Sequence, residues 1–128
     1  MAGEPTPSMQ EYLTAIYKRS GTGWAHTTDI AHDLNTTPAS VTEAFKRLAS
    51  EGFVEYVPYR GVRLTEKGLQ VAEAVARRES MLREAFVAMG LDPAEADRLA
   101  CLLEHVISDE GARKVYEFAR RCGGGANG

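Results

Sequence analysis

The sequence predicts a mainly α chain with one small β-hairpin: a compact N-terminal module of three helices and the hairpin, then a separate helical segment. Three observations predict it. Apolar residues recur at three- and four-residue spacing along most of the chain. The one stretch that reads as paired strands, residues 53–64, is folded about Pro58-Tyr59-Arg60-Gly61. Helical stretches open on Thr-Pro or Asp-Pro and stop at Gly, as capping chemistry requires. A length of 128 residues suits one core with an appended helical unit, not two large domains.

The first helix opens at Thr6-Pro7-Ser8, carries Met9, Leu13, Ile16 and Tyr17 inward, and runs to about Ser20 before Gly21-Thr22-Gly23. Thr27 or Thr28 caps a short second helix with Ile30, Ala31 and Leu34 inward. The third opens with Thr37-Pro38 and stacks Val41, Ala44, Phe45 and Leu48 in one stripe until Gly52. Strands over 53–57 and 62–64 follow, and Thr65 caps a long fourth helix with Leu69, Ala72, Val75, Leu82, Phe86 and Met89 on one side. Asp92-Pro93-Ala94-Glu95 opens a fifth helix with Ala96, Leu99, Leu103 and Val106 inward, and Ser108 starts a sixth through Val115 and Phe118. Residues 123–128, Gly-rich with nothing to bury, are expected to be a disordered tail. Three helices and a hairpin in this order make a winged helix-turn-helix. Domains are expected at 1–70 and 71–122.

Composition limits the function. Hydrophobic residues at 44% and charged residues at 26% are globular values, and no apolar run is long enough to cross a bilayer. Met1-Ala2-Gly3-Glu4-Pro5 is not the start of a secretory signal, so a cytoplasmic protein with no membrane partner is expected, its Cys101 and Cys122 kept as thiols. A net charge of −3 argues against coating nucleic acid nonspecifically and leaves room for a local basic patch.

That patch is present. In a helix-turn-helix the second helix enters the major groove by its N-terminal part, which needs a capped start, an apolar back and short polar residues in front. Ser40, Thr42 and Glu43 face outward near the start of the third helix, and Glu43 can accept from cytosine. Thr37 offers a hydroxyl or N–H to a phosphate, and Lys46, Arg47, Arg60 and Arg63 are expected phosphate contacts that fix register. Each of these is equally an ordinary solvated residue; the pattern as a whole points to double-stranded DNA.

Cys101, Glu104 and His105 stand at i, i+3 and i+4 of the fifth helix, so a thiolate, a carboxylate and an imidazole share one face. Mixed S, O and N donors suit Fe(II), Co(II), Ni(II) or Zn(II) rather than calcium or magnesium. By spacing alone the same residues also read as a small core cysteine and a solvated Glu–His pair. Cys101 and His105 share one helix with no third orienting group, so a thiol hydrolase is not expected, nor any small-molecule substrate.

Three stretches carry a resemblance. Ser8-Met9-Gln10-Glu11-Tyr12-Leu13-Thr14-Ala15-Ile16-Tyr17, Tyr59-Arg60-Gly61-Val62-Arg63-Leu64-Thr65-Glu66-Lys67-Gly68, and Gly90-Leu91-Asp92 with Ala100-Cys101-Leu102-Leu103-Glu104-His105-Val106-Ile107-Ser108-Asp109-Glu110 resemble the first helix, the wing and the fifth helix of the diphtheria toxin repressor family of iron- and manganese-dependent regulators. The resemblance implies a repressor that binds operator DNA as a homodimer through its winged helix, with a helical metal-binding and dimerisation domain, and a metal site between the two domains. It implies Glu11 as a further ligand, a position whose acid also reads as closing a Ser8–Glu11 capping box. An acid at Glu11 leans towards the manganese branch. Cys101 leans towards the iron branch, as does Thr14, where the manganese branch has a ligating glutamate. Fe(II) is therefore ranked first, Mn(II) second, and Co(II), Ni(II) or Zn(II) as surrogates. The family's second site falls on Glu79, Arg83 and Asp97; Arg83 cannot ligate a cation, which leaves Glu79 and Asp97. A two-domain build like the manganese branch, without the further domain of larger iron-branch members, is expected. Competing readings are a winged-helix regulator not controlled by metal, and a metal-buffering or adaptor protein that binds no DNA.

Overall fold

The computed structural model describes residues 5–126, with side chains as far as Cys122. Among these residues run α1 (Pro7–Ser20), α2 (Thr27–Asp33), α3 (Pro38–Ser50), β1 (Val54–Val57), β2 (Gly61–Leu64), α4 (Glu66–Ala88), α5 (Pro93–Leu103) and α6 (Asp109–Ala126). The chain forms two compact units, one ending at Glu73 and the other beginning at Ala74, so the boundary falls within α4. The winged-helix order of the first unit is the one the sequence predicts.

In the first unit the Thr6 side chain accepts from the Met9 N–H at 3.2 Å and Pro7 takes the first helical position. Ser8 therefore lies inside α1, and the Ser8–Glu11 capping box does not form. Glu11 projects from α1 exposed. Neither Thr27 nor Thr28 caps α2: His26 holds that position without a side-chain bond, and Thr27 is already helical. The Arg19 Nε instead ties α2 to α1 by donating to Asp33 Oδ2 at 2.9 Å, which holds the Asp33 carboxyl below the usual range.

Leu13, Ile16, Ile30, Val41, Phe45 and Leu48 make the first core, closed by Phe53 and Val62 of the hairpin segment. Phe45 sits edge-on to Tyr12 at 6.3 Å and tilted to Tyr56 at 5.8 Å. β1 starts one residue later than expected because the Phe53 N–H donates to the Leu48 carbonyl at 2.9 Å, ending α3 instead of joining the ladder. The strands pair antiparallel, Val54 opposite Leu64 and Val57 opposite Gly61. Ala25 adds a single bridge to Val62 through N–H···O bonds of 2.8 and 2.9 Å. That approach requires Gly61: its φ is +118°, and a Cβ there would overlap the Ala25 carbonyl oxygen.

Thr65 caps α4 by accepting from the Gly68 N–H at 3.2 Å. In the second unit Leu82, Ala100 and Ala112 form the core, with Met81, Phe86, Leu103, Ile107 and Val115 packed on it. Alanines at 85, 96, 100, 112 and 119 are all buried, which allows the helices close approach. Met89, expected inward, is exposed, because α4 stops at Ala88 and Gly90 turns the chain at φ +103°. Val106 is also exposed, at 67%. The cause is the end of α5 at Leu103: the N–H groups of both Val106 and Ile107 donate to the Leu103 carbonyl, a tightened turn that throws Val106 outward. Asp92 and Ser108 cap as the sequence predicts, accepting from Ala94 N–H at 3.1 Å and Gly111 N–H at 2.9 Å.

α6 continues to Ala126, through the first four residues assigned to a tail; once a helix exists, each added residue needs only one more backbone hydrogen bond. Residues 127 and 128 lie outside the described residues. No helix among them is long and apolar enough to cross a membrane.

Candidate metal centre and nucleic-acid interface

The outward face of α3 follows from its cap. The Thr37 hydroxyl accepts from the Ser40 N–H at 3.2 Å and donates to Ser40 Oγ at 3.0 Å, so both side chains are fixed at the exposed helix start. Thr42 is half-buried, while Glu43, Lys46 and Arg47 are exposed. Three of the four cations face a carboxylate: Lys46 Nζ is 3.8 Å from Glu43, Arg47 Nε 3.8 Å from Glu51, and Arg63 Nη2 3.2 Å from Glu55. Exposed pairs of this kind contribute about 0–1 kcal/mol, so exchanging a carboxylate for a phosphate costs little. Arg60 and Arg63 of the wing both lie against the Trp24 ring, 4.5 and 4.8 Å from its centroid. Trp24 is a residue that periodicity does not reveal, because it lies in the loop between α1 and α2.

In the second unit Glu104 and His105 occupy the turn after α5, not the helix itself. Glu104 keeps helical dihedrals, φ −57° and ψ −26°, and its N–H still donates to the Ala100 carbonyl at 2.9 Å. Its side chain is 1% exposed and lies 3.1 Å from Nε2 of His105, itself 11% exposed. Cys101, one turn earlier, is exposed. Among the described residues no three of His, Cys, Asp and Glu gather into a group that could hold a metal ion. The contacting pair nevertheless fits one by its chemistry. Ligand bonds of about 2.1 Å at right angles put two donors about 3 Å apart, close to the carboxylate–imidazole separation here.

The turn is held by a residue the sequence reading missed. Arg78, 8% exposed on α4, donates from Nε to the Glu104 carbonyl at 2.8 Å and from Nη1 to Asp109 Oδ1 at 2.8 Å. It thereby satisfies a carbonyl at the end of α5 and reaches the first residue of α6. The signal was available: Arg78 lies three residues after Val75 and four before Leu82, within the apolar stripe of α4. A charge there is either an error of pattern or a buried anchor.

The acids expected to form a second metal site are brought together, but around a cation of the chain itself. Arg83 Nη1 is 3.5 Å from Glu79 Oε1 and 3.5 Å from Asp97 Oδ1. A guanidinium within ion-pair range of both carboxylates leaves them a poor fit to a further divalent ion.

Two family descriptions match along the chain. Residues 4–62 match "Iron dependent repressor, N-terminal DNA binding domain", and residues 65–122 match "Iron dependent repressor, metal binding and dimerisation domain". The chain belongs to the iron dependent repressor family. It is a metal-dependent transcriptional repressor, of the family its sequence resembles.

This repressor is 38% identical over 117 residues to an HTH-type transcriptional regulator of Methanocaldococcus jannaschii, covering 89% of this chain and 94% of that protein. It is 35% identical over 105 residues to the HTH-type transcriptional regulator MntR of Listeria monocytogenes, covering 81% and 74%. Among solved structures, a manganese-dependent transcriptional repressor in complex with manganese superposes with a TM-score of 0.74 at 26% identity. That match covers 86% of this chain and 51% of the other, so the repressor spans about half its length.

Proposed function

We propose that this repressor binds operator DNA as a homodimer when Fe(II) is held by Glu11, Cys101, Glu104 and His105, and that it controls genes of metal homeostasis. The observation that carries the reading is the buried Glu104 carboxylate in contact with the His105 imidazole, inside the segment matched to a metal-binding domain. When bound, the ion supplies the positive charge that lets a carboxylate, a thiolate and an imidazole converge. The thiolate of Cys101 favours Fe(II) over Mn(II). Mn(II) is the second reading, supported by the acid at Glu11 and by the likeness to a manganese-dependent repressor. Glu79 and Asp97, both within ion-pair range of Arg83, are assigned no second ion.

On the DNA side, Ser40, Thr42 and Glu43 read base edges, while Thr37, Lys46, Arg47, Arg60 and Arg63 hold the backbone. The homodimer is supported by exposed apolar side chains of the second unit, among them Met89, Leu102, Val106 and Phe118. Two copies then present two recognition helices to half-sites one helical turn, or a multiple, apart. Occupancy of the ligand set and affinity for DNA are coupled, each raising the other equally.

Anaerobic gel shifts titrated with Fe(II), Mn(II), Co(II) and Zn(II) test the choice of ion. Fe(II) is expected to activate below Mn(II), with one ion per chain by elemental analysis, and Cys101→Asp is expected to move the preference towards Mn(II). An unchanged order in Cys101→Asp would remove Cys101 from the ligand set, and two ions per chain would return Glu79 and Asp97 to it.

A further inference from the structure

We infer that Trp24 is a positioning residue for DNA binding, which orders Arg60 and Arg63 as two separate contacts to backbone phosphates. The inference rests on the reading that the wing arginines contact DNA. Both guanidinium carbons lie over the Trp24 ring, at 4.5 and 4.8 Å, although two like charges would otherwise separate into solvent. The ring's π-electrons attract each guanidinium and hold it against the indole. Glu55, 3.2 Å from Arg63, restrains that side chain further.

The platform is fixed from below. Ala25, the next residue, is locked to Val62 by two backbone hydrogen bonds, and Gly61 admits that contact because it has no Cβ. The backbone that carries the indole is thus held beside β2, which carries Arg63, and beside the turn that carries Arg60. Tyr59, at φ +70° and fully exposed, leaves the tip of the wing beside them open to a partner. Each arginine suits a phosphate because the planar guanidinium offers paired N–H donors to its oxygens. Ordering two long side chains before DNA arrives removes an immobilisation cost otherwise met on binding.

The test is operator affinity against salt for the metal-loaded full chain, with Trp24→Leu, Trp24→Phe, Arg60→Ala/Arg63→Ala and the combined triple variant. Losing two phosphate contacts is expected to make the log–log salt slope shallower by about 1.8 in Arg60→Ala/Arg63→Ala. Trp24→Leu is expected to weaken binding about fivefold, and Trp24→Phe, which keeps an aromatic face, by less than about twofold. In the arginine-free background Trp24→Leu is expected to change nothing further, whereas mere damage to the fold would weaken both backgrounds alike. Trp24 is the only tryptophan, so its emission should also shift when operator is added and cease to do so without the arginines. An unchanged salt slope in Arg60→Ala/Arg63→Ala would overturn the reading of the wing itself, and the inference with it. A shallower slope with unchanged affinity in Trp24→Leu, or an equal loss in both backgrounds, would overturn the role of Trp24 alone.

Discussion

Replacing His105 or Glu104 by alanine is expected to weaken Fe(II) binding by at least about 100-fold and to abolish metal-stimulated operator binding. The size follows from burial. The Glu104 side chain is 1% exposed and faces Nε2 of His105, so the protein has already removed both groups from most of their water. A cation arriving there replaces little hydration of the ligands, and losing either donor leaves a place that water fills poorly. His105→Ala isolates the loss of one donor without touching the carboxylate. Glu104→Gln keeps the shape while removing the charge, which separates a ligand effect from a packing effect: it is expected to bind metal as poorly as Glu104→Ala while melting closer to wild type. Anaerobic titration calorimetry reads the metal affinity and fluorescence anisotropy reads DNA binding. Wild-type values for His105→Ala in both would remove this pair from the site.

Arg78→Ala is expected to lower stability by about 2–4 kcal/mol, since one substitution leaves a helix-end carbonyl without its donor and opens a cavity among buried atoms. The melting temperature should fall by on the order of 10 °C. Little of the effect should come from the ion pair, because Asp109 is two-thirds exposed; Asp109→Ala is expected to cost less than about 1 kcal/mol. Arg78→Lys should recover only part, since a single ammonium lacks the fork that reaches the Glu104 carbonyl and the Asp109 carboxylate together. Metal affinity should fall about tenfold in Arg78→Ala, because the turn carrying Glu104 and His105 loses its anchor. Thermal melting with Fe(II) titration measures both, and a melting temperature within about 2 °C of wild type would show that Arg78 does not hold the turn.

What the sequence revealed depended on range. Caps and periodicity are local, so Thr6, Thr37, Thr65, Asp92 and Ser108 mark their helices correctly and the Val41, Phe45, Leu48 stripe is buried as expected. The errors fall where a distant or competing bond intervenes. β1 lost Phe53 to the Leu48 carbonyl, α5 lost Val106 to a tightened turn at Leu103, and the capping box at Ser8 lost to a better cap at Thr6. Within the site, Glu104 and His105 were legible as a spaced pair, but their burial was not. Arg78 acts across 26 residues and Trp24 reaches arginines more than 30 residues away, so no periodicity could link them to the groups they hold. Arg83 was legible as a cation in a row of acids, but that both Glu79 and Asp97 turn to it required their geometry.

The proposed coupling of metal occupancy to DNA affinity is read from the affinity of the wild-type chain for a palindromic site from its own promoter region, measured anaerobically with saturating Fe(II) and again after chelation. Coupling free energies are typically 1–3 kcal/mol, so binding is expected to be about 5- to 150-fold tighter with the ion, and restored when Fe(II) is returned. Equal affinity with and without metal would show that the ion does not control DNA binding.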